Sequence, residues 1–227
     1  MTPIMSHFEI GIIGHTGRLG RRVVEAAEAR SWAVTLRRNR QGSIVTGEPS
    51  VIFESASPQA TAASVDTALA LNAALVLATS GRSRDDDRVV REAAARIPVV
   101  IAGNLTEGHR IQKALARLVV TMAGTAERHV VDRHCTTKKD APSATALALH
   151  DALGEATVEV LRHGAPVADH HIILTWPDEV LEIVHRVTSL EPAVQGALTV
   201  IRRTAALDKA GLYSLDDIFS LHDARVI

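Results

Sequence analysis

The chain has 227 residues, of which 46% are hydrophobic and 22% charged, and its formal net charge is -1. This composition is typical of a globular protein of one or two domains, and the near-neutral charge argues against nucleic acid or a membrane surface as the main partner. A single cysteine excludes an internal disulfide and a cysteine-based zinc site, and no segment has the pattern of a secretion signal or a membrane span, so we expect a cytoplasmic protein.

Apolar runs of strand length alternate with Ala-, Arg- and Glu-rich helical segments through the first hundred residues. The alternation predicts an α/β fold with a Rossmann-like, doubly wound parallel sheet that is covered by helices on both faces. Strands are predicted at 8–14, 32–38, 50–55, 73–80 and 97–103, and helices at 18–30 and 85–97.

The pattern changes near residue 105 and predicts a second, α+β domain with a mixed or antiparallel sheet, because its later apolar segments follow one another without long crossovers. We therefore expect a dinucleotide-binding domain formed by 1–104 plus 193–227, and a substrate-binding and oligomerisation domain at 105–192. In the second half we predict a helix at 108–118, a strand near 129–135, a helix after Pro142, and alternating strand segments at 158–164, 169–176, 179–189 and 196–207.

Three glycines follow the first predicted strand. The segment "GIIGHTGRLGRR" places Gly14, Gly17 and Gly20 at three-residue spacing, directly after a strand and at the start of a helix. This is a close variant of the dinucleotide fingerprint: the first glycine allows a tight turn, the second lets backbone amides approach a pyrophosphate, and the third lets helix and strand pack closely. A plain turn is the alternative, but the flanking strand and helix favour a nucleotide loop.

The end of the second predicted strand indicates which dinucleotide is preferred. Arg37 and Arg38 stand there in the run "RRNR", without a carboxylate that would accept from the ribose hydroxyls of NADH. Guanidinium groups suit the 2′-phosphate of NADPH. We expect NADPH to be preferred, with NADH possible; a solvated basic turn is the alternative.

A polar segment, "CTTKKDAPSATALAL" at 135–149, precedes the helix after Pro142. Asp140 or Ser143 can cap that helix, and Pro142 suits its first turn. Caps do not explain the polar groups at 134–139, which are candidates for a reaction centre.

Taken in order, these segments resemble those of the dihydrodipicolinate reductases of bacterial lysine biosynthesis. "GHTGRLGR" is similar to that family's glycine-rich loop, "ATSG" (78–81) to its Gly-Thr-Thr-Gly loop, and "IAGNLTEG" (101–108) to its Ala-Pro-Asn-Phe-Ser loop. "DRHCTTKKDAPSATALAL" resembles its signature of Glu, His-His, Lys and Asp-Ala-Pro-Ser-Gly-Thr-Ala. The resemblance implies a homotetrameric oxidoreductase that transfers hydride from NAD(P)H to a cyclic imine or dihydropyridine dicarboxylate in lysine and diaminopimelate biosynthesis.

The resemblance also assigns roles to residues. It implies that His134 is the catalytic acid/base group and that Lys138 is the proton donor. It assigns substrate binding to Cys135, Ser143, Ala144 and Thr145. Together with the glycine-rich turn and the basic run at the end of the second strand, it assigns cofactor binding to Gly14, Thr16, Gly17, Arg18, Leu19, Gly20, Arg37, Arg38, Ala78, Thr79, Ser80, Gly81, Gly103 and Asn104.

Three departures from the family pattern concern the substrate. Cys135 replaces the second histidine of the pair, Ala144 replaces the glycine of Ser-Gly-Thr, and Leu105 replaces an aromatic residue. A thiol cannot supply the positive charge of an imidazolium, so two alternatives stay open. In the first alternative, the chain is a paralogue that acts on another cyclic imine or pyridine-type carboxylate. In the second, it is a nucleotide-binding protein without catalysis.

Other polar clusters have structural explanations. The acidic run at 85–87 precedes a helix and suits capping and the helix dipole. His170 and His171 are neighbours on a predicted strand and point to opposite faces, so they cannot ligate one metal together, and we predict no metal. Cys135 is expected to pack rather than to act as a nucleophile.

Overall fold

A computed structural model of the chain describes residues 8–164 and 168–223, which divide at Leu105 and Ala193 into two units. The strands are β1 Glu9–Ile13, β2 Ala33–Asn39, β3 Gly42–Val45, β4 Val51–Glu54, β5 Ala74–Leu77, β6 Pro98–Ile101, β7 Glu127–His134, β8 Thr157–Arg162, β9 Ala168–Trp176, β10 Glu179–Val187 and β11 Gly211–Ser214. The helices are α1 Arg18–Glu28, α2 Thr61–Ala70, α3 Arg84–Ala94, α4 Glu107–Met122, α5 Ala144–Leu153, α6 Glu191–Ala205 and α7 Leu215–Asp223.

Unit 1 comprises the described residues up to Leu105 and from Ala193 onward, and it contains the predicted parallel sheet. Its strand order is β11-β6-β5-β4-β1-β2-β3, and every neighbouring pair is parallel except β2 with β3. All side chains of β4 and β5 are buried, as expected for strands covered on both faces. The α/β, doubly wound prediction is confirmed.

Two apolar layers hold the helices against this sheet. On one face, Val23 of α1 and Ile201 of α6 pack in the same cluster as Ile12 and Phe53. On the other face, residues of α2 and α3 pack with residues of β4, β5 and β6; they include Val65, Val90, Ile52, Leu75 and Val99. The core of unit 1 therefore lies on both sides of its central strands.

The prediction of a strand at 196–207 is wrong, because this segment is the greater part of α6 and belongs to unit 1. Val194, Ala197, Leu198 and Ile201 are buried, at spacings of three, four and seven residues, which is one face of a helix. Over a few residues, such a face also resembles the alternation of a strand.

Four elements were not predicted from the sequence: β3, β11, α2 and α7. The four side chains of β3 are exposed, and β11 is a four-residue edge strand, so neither carries a strong apolar signal. Helix α2 is rich in alanine and threonine and buries four small or β-branched side chains, which gives it only a weak amphipathic pattern.

Unit 2 contains the described residues from Thr106 to Pro192 and a four-stranded sheet of order β10-β9-β7-β8. β7 and β8 are parallel, whereas the pairs β7–β9 and β9–β10 are antiparallel, so the prediction of a mixed sheet is confirmed. Side chains of α4 and α5, including Ala116 and Leu149, pack with Val130 and Ile172 of the sheet. Among the described residues, no helix is long and apolar enough to cross a membrane.

Candidate functional site

The glycine-rich turn between β1 and α1 forms one side of a cavity. Gly14 has φ +87, and a Cβ there would lie 2.9 Å from backbone atoms of Ala56. A Cβ on Gly20 would lie 2.2 Å from the carbonyl oxygen of Gly14, so the helix can follow the turn this closely only with glycine. Gly17 is the N-cap of α1, and no side chain among the described residues caps the helix. The amides of the first turn therefore remain suited to an anion.

A cavity of about 720 Å³ opens beside this turn. It brings together four residues that the sequence assigned to the cofactor, Gly14, Thr16, Gly17 and Arg38, with groups from the ends of β2 and β4 and the start of α2. The other lining residues are Ile13, Asn39, Arg40, Gln41, Ser55, Ala56, Ser57, Gln59, Ala60 and Ala63. Arg40 stood in the same basic run of the sequence but was not assigned a role there.

The two arginines at the end of β2 do not share a position. The Arg38 side chain lines the cavity, and its Nη1 donates to the carbonyl of Ala63 and to the hydroxyl of Thr67 on α2. Arg37 instead forms an ion pair with Glu28 of α1 and is not among the lining residues. Successive residues on a strand face opposite sides of the sheet, which explains the difference.

The remaining residues assigned to the cofactor follow the carboxyl ends of other strands. Residues 78–81 follow β5, and Gly103 and Asn104 follow β6, so they lie at the same edge of the sheet as Gly14. Neither group lines the cavity. Arg18 begins the first turn of α1, whereas Leu19 is partly buried against the core.

Glu54, at the end of β4, is a buried carboxyl group that the sequence analysis missed. Burial raises the pKa of Glu54 above its usual value, although the Ala56 amide and the Thr79 hydroxyl donate to Oε1 at 2.6 and 2.8 Å. This hydrogen bond ties Thr79, in the loop after β5, to the end of β4. An acidic residue at the end of an apolar strand was the available signal.

In unit 2, two histidines meet at one buried carboxylate. His134 ends β7 and is 6% exposed, and its Nε2 lies 3.0 Å from Oδ1 of Asp132. His170 comes from the neighbouring strand β9; its Nε2 lies 3.3 Å from the same oxygen and 3.3 Å from Nε2 of His134. The sequence assigned His134 but neither of the other two.

Asp132 is satisfied on both oxygens. The Ser143 amide donates to Oδ2 and the Ser143 hydroxyl to Oδ1, each at 2.8 Å, and Nη2 of Arg162 donates to Oδ2 at 2.9 Å. Burial opposes ionisation, but the hydrogen bonds from the two histidines, the Ser143 amide and Arg162 outweigh it and hold the pKa of Asp132 well below its usual range. The carboxylate is therefore charged at all working pH values.

Asp132, His134 and His170 offer three metal-ligand atoms close to one another, and no other group of this kind is found among the described residues. Both oxygens of Asp132 already accept from donors that include a guanidinium group, and the Ser143 hydroxyl lies 3.3 Å from Nε2 of His170. A divalent cation would have to displace these donors beside the positive charge of Arg162. The arrangement favours a hydrogen-bonded cluster over a metal site.

Lys138 lies in the loop after β7, and its ammonium group donates to Asp140 at 2.8 Å. Burial lowers the pKa of His170; the hydrogen bond that His170 donates to Asp132 opposes this, whereas the charges of His134 and Lys138 act in the same direction as burial. Lys138 therefore acts electrostatically on the buried His170. The Cys135 thiol is partly buried and lies 3.2 Å from the Thr137 hydroxyl, a contact that lowers the pKa of the thiol.

The Ser-Ala-Thr turn begins α5. Ser143 is the N-cap, since its hydroxyl accepts from the Ala146 amide at 3.1 Å. Pro142 therefore precedes the cap, and the prediction that Pro142 lies in the first turn is wrong. The same hydroxyl donates to Asp132, and Ser143 is 2% exposed. Ala144 is exposed and Thr145 half-buried at the helix start.

The capping prediction for 85–87 is confirmed in Asp86, which forms a capping box with Ser83.

Comparisons with known proteins agree with both units. The family described as "Dihydrodipicolinate reductase, N-terminus" matches residues 8–105, and "Dihydrodipicolinate reductase, C-terminus" matches residues 108–219. The 4-hydroxy-tetrahydrodipicolinate reductase of Anaeromyxobacter sp. (strain Fw109-5) is 31% identical, over 77% of this chain and 75% of its own. That of Zymomonas mobilis subsp. mobilis is 26% identical, over 95% and 98%.

A solved structure, dipicolinate-bound dihydrodipicolinate reductase from Paenisporosarcina sp. TG-14, superposes with a TM-score of 0.71. The superposition covers 91% of this chain and 97% of that one at 14% sequence identity, so the likeness concerns the fold.

Proposed function

Because this chain belongs to the dihydrodipicolinate reductase family, we propose that it is an NAD(P)H-dependent oxidoreductase of lysine and diaminopimelate biosynthesis. Its substrate in this proposal is the cyclic imine or dihydropyridine dicarboxylate that 4-hydroxy-tetrahydrodipicolinate reductases take by name. The observation that carries the proposal is the family match over both units in chain order, which includes the glycine turn in one and the His134 and Lys138 segment in the other.

Unit 1 fits a dinucleotide. The positive φ of Gly14 and the absence of a Cβ at Gly20 make room beside the uncapped start of α1, where amides can receive a pyrophosphate. When it is bound, the reduced nicotinamide supplies the hydride. The protein's part is to bind and orient the dinucleotide through the cavity next to this turn.

Unit 2 supplies the polar groups for the substrate. Hydride addition to an electron-poor carbon leaves negative charge, which a nearby cationic acid can neutralise. We assign proton donation to Lys138 and the acid/base role to His134. Thr145 and the amides at the start of α5 are suited to a substrate carboxylate. The Ser143 hydroxyl is committed to Asp132 and the Ala146 amide, so it serves this turn by holding the helix start.

The test is NADPH oxidation, followed as loss of absorbance, with freshly generated 4-hydroxy-tetrahydrodipicolinate. Turnover that depends on this substrate supports the proposal. Binding of NADPH without turnover of any cyclic imino acid would instead favour a nucleotide-binding protein without catalysis.

A second candidate is a paralogue that reduces a different cyclic imine or pyridine-type carboxylate. The observation that favours it is Cys135, a partly buried thiol beside His134 where the family pattern has a second histidine, together with the exposed methyl group of Ala144. A panel of cyclic imino acids separates the two candidates. In addition, Cys135→His should preserve or improve turnover of the lysine-pathway substrate if the first candidate is right.

We also infer that NADPH is preferred over NADH. The support is the position of Arg38 on the cavity wall and of Arg40 beside it, since two guanidinium groups favour a 2′-phosphate. Arg37 contributes less in this proposal, because its guanidinium is paired with Glu28.

A homotetramer in the cytoplasm completes the proposal. Its structural support is the outer strand of the second sheet, β10, on which Val180, Leu181 and Val184 are 58%, 47% and 45% exposed. An apolar edge strand of this kind is suited to association with another copy. Light scattering on the purified protein tests the assembly: a tetramer mass is expected, and a monomer mass would contradict it.

A further inference from the structure

We propose that Asp132 is a positioning residue for His134, which it orients from within a buried hydrogen-bond network. The inference rests on the reductase function proposed above, because that function is what gives His134 its role as the acid/base group.

The contact that carries the inference is between Oδ1 of Asp132 and Nε2 of His134, at 3.0 Å. Asp132 is fully buried and His134 is 6% exposed, so water competes little for either group. An ionised carboxylate that accepts from one ring nitrogen keeps the proton on that nitrogen, which fixes the tautomer and the direction of the ring.

The network also fixes Asp132 itself. Its carboxylate is held from β8 by Arg162 and from the start of α5 by the amide and hydroxyl of Ser143. Arg162 in addition donates to the carbonyls of Asp132 and Asp140, at 3.0 and 2.7 Å, and so joins the sheet to the loop that carries Lys138. Rotation of the carboxylate would break several charge-assisted bonds at once. Asp132 therefore presents Oδ1 to His134 in one direction.

His170 has a distinct part in the same network. It is 1% exposed, and burial together with the neighbouring positive charges favours its neutral form. A neutral His170 therefore joins the network without adding a positive charge to it. The charged or titratable groups around His134 are Asp132 of β7, Arg162 of β8, His170 of β9, and Lys138 and Asp140 of the loop.

The sheet contains its own control for this proposal. Asp169 on β9 is also fully buried, and its carboxylate is also held by arginine and histidine side chains: two arginines, Arg133 and Arg186, and one histidine, His171 at 2.9 Å. In the contacts of the described residues, this carboxylate reaches the ring of neither His134 nor His170. Asp132→Asn and Asp169→Asn therefore remove the same kind of buried charge from the same sheet, and only the first removes the partner of His134.

We expect Asp132→Asn to reduce kcat about 10- to 100-fold, because an amide no longer holds the His134 ring in one tautomer and one direction. The KM for NADPH should stay within about twofold, since unit 1 binds the nucleotide. Asp169→Asn should keep kcat within about threefold of the unmodified enzyme. Equal losses of kcat in both variants would reduce Asp132 to a structural role and overturn the proposal, as would full activity of Asp132→Asn.

A second measurement stands independently of activity and of how well the variant folds. In the unmodified protein, the ¹⁵N shifts of the His134 ring, assigned by comparison with His134→Gln, should show the neutral form protonated at Nε2. Protonation at Nδ1 would refute the proposal. If the protein turned over no imino acid, the reductase function would fail, whereas this measurement would still decide whether Asp132 orients His134.

Discussion

Arg38→Ala is the substitution that tests the nucleotide site most directly. The Arg38 guanidinium lines the cavity beside the glycine turn, and its Nη1 is already held by the Ala63 carbonyl at 2.8 Å and the Thr67 hydroxyl at 2.5 Å. Because α2 fixes the side chain before any ligand arrives, little conformational entropy is lost when the remaining donors meet a phosphate. Its full charge-assisted contact is then available for binding.

The magnitude follows from one such contact. Loss of a hydrogen bond to a charged group costs about 1.5–3 kcal/mol, which corresponds to a roughly 10- to 150-fold weaker Kd for NADPH. The Kd for NADH should change little, because NADH lacks the 2′-phosphate. Arg38→Lys should fall between the two, since an ammonium group keeps the charge but not the planar fork.

Calorimetric titration with NADPH and NADH measures both constants, and the neighbouring arginine provides the matched control. Arg37→Ala removes the same charge one residue away, but that guanidinium is paired with Glu28 and lies off the cavity. We expect Arg37→Ala to weaken NADPH binding by less than about threefold. Equal losses in the two variants would show that bulk charge decides the preference, and equal affinity of the unmodified protein for both dinucleotides would remove the preference itself.

Three further predictions concern the turn, the acid and the buried histidine. Gly20→Ala would place a methyl group 2.2 Å from the carbonyl oxygen of Gly14. We therefore expect the free energy of unfolding in urea to fall by about 1–3 kcal/mol and NADPH to bind more weakly. Unchanged binding would contradict the role of this turn in holding the dinucleotide. Lys138→Ala should lower kcat about 100-fold with NADPH affinity retained, whereas Lys139→Ala, at an exposed neighbouring position, should leave kcat nearly unchanged. Burial lowers the pKa of His170 below 6.5, so the contribution of the neutral ring to stability is complete above pH 6.5 and is lost as the pH falls. The urea concentration at the unfolding midpoint should therefore decrease between pH 7.5 and 5.5, and it should decrease less steeply in His170→Gln. Parallel slopes in the two proteins would count against this reasoning.

Local patterns carried most of the information about unit 1. Each of the five predicted strands there occurs. β4 and β5, whose side chains are all buried, are the continuous apolar runs expected of strands covered on both faces. Patterns failed where burial is partial or the window short: β3 is exposed throughout, and the apolar face of α6 resembled a strand over a few residues. Neither failure concerns the glycine turn, whose spacing is a local requirement of the backbone.

The site residues divide along the same line. Gly14, Gly17 and His134 were readable from spacing and from the order of a motif, since each acts within a few residues of its neighbours in the chain. The rule that adjacent strand residues face opposite sides separated His170 from His171 in the sequence, and the same rule separates Arg37 from Arg38 in the structure. The sequence does not say which of two faces borders a cavity, because that depends on where the next helix packs.

The amino-acid sequence by itself therefore determined the five central strands of unit 1, the glycine turn and the segment that carries His134 and Lys138. Only the tertiary structure decided what surrounds His134. Asp132, Arg162, His170 and Ser143 come from three strands and a helix start, and the pairing of β7 with β8 and β9 brings them together. The strand register sets which side chains become neighbours. Burial then requires the charge of Asp132, which would be ordinary in water, to be paired, and in our proposal the paired carboxylate orients His134.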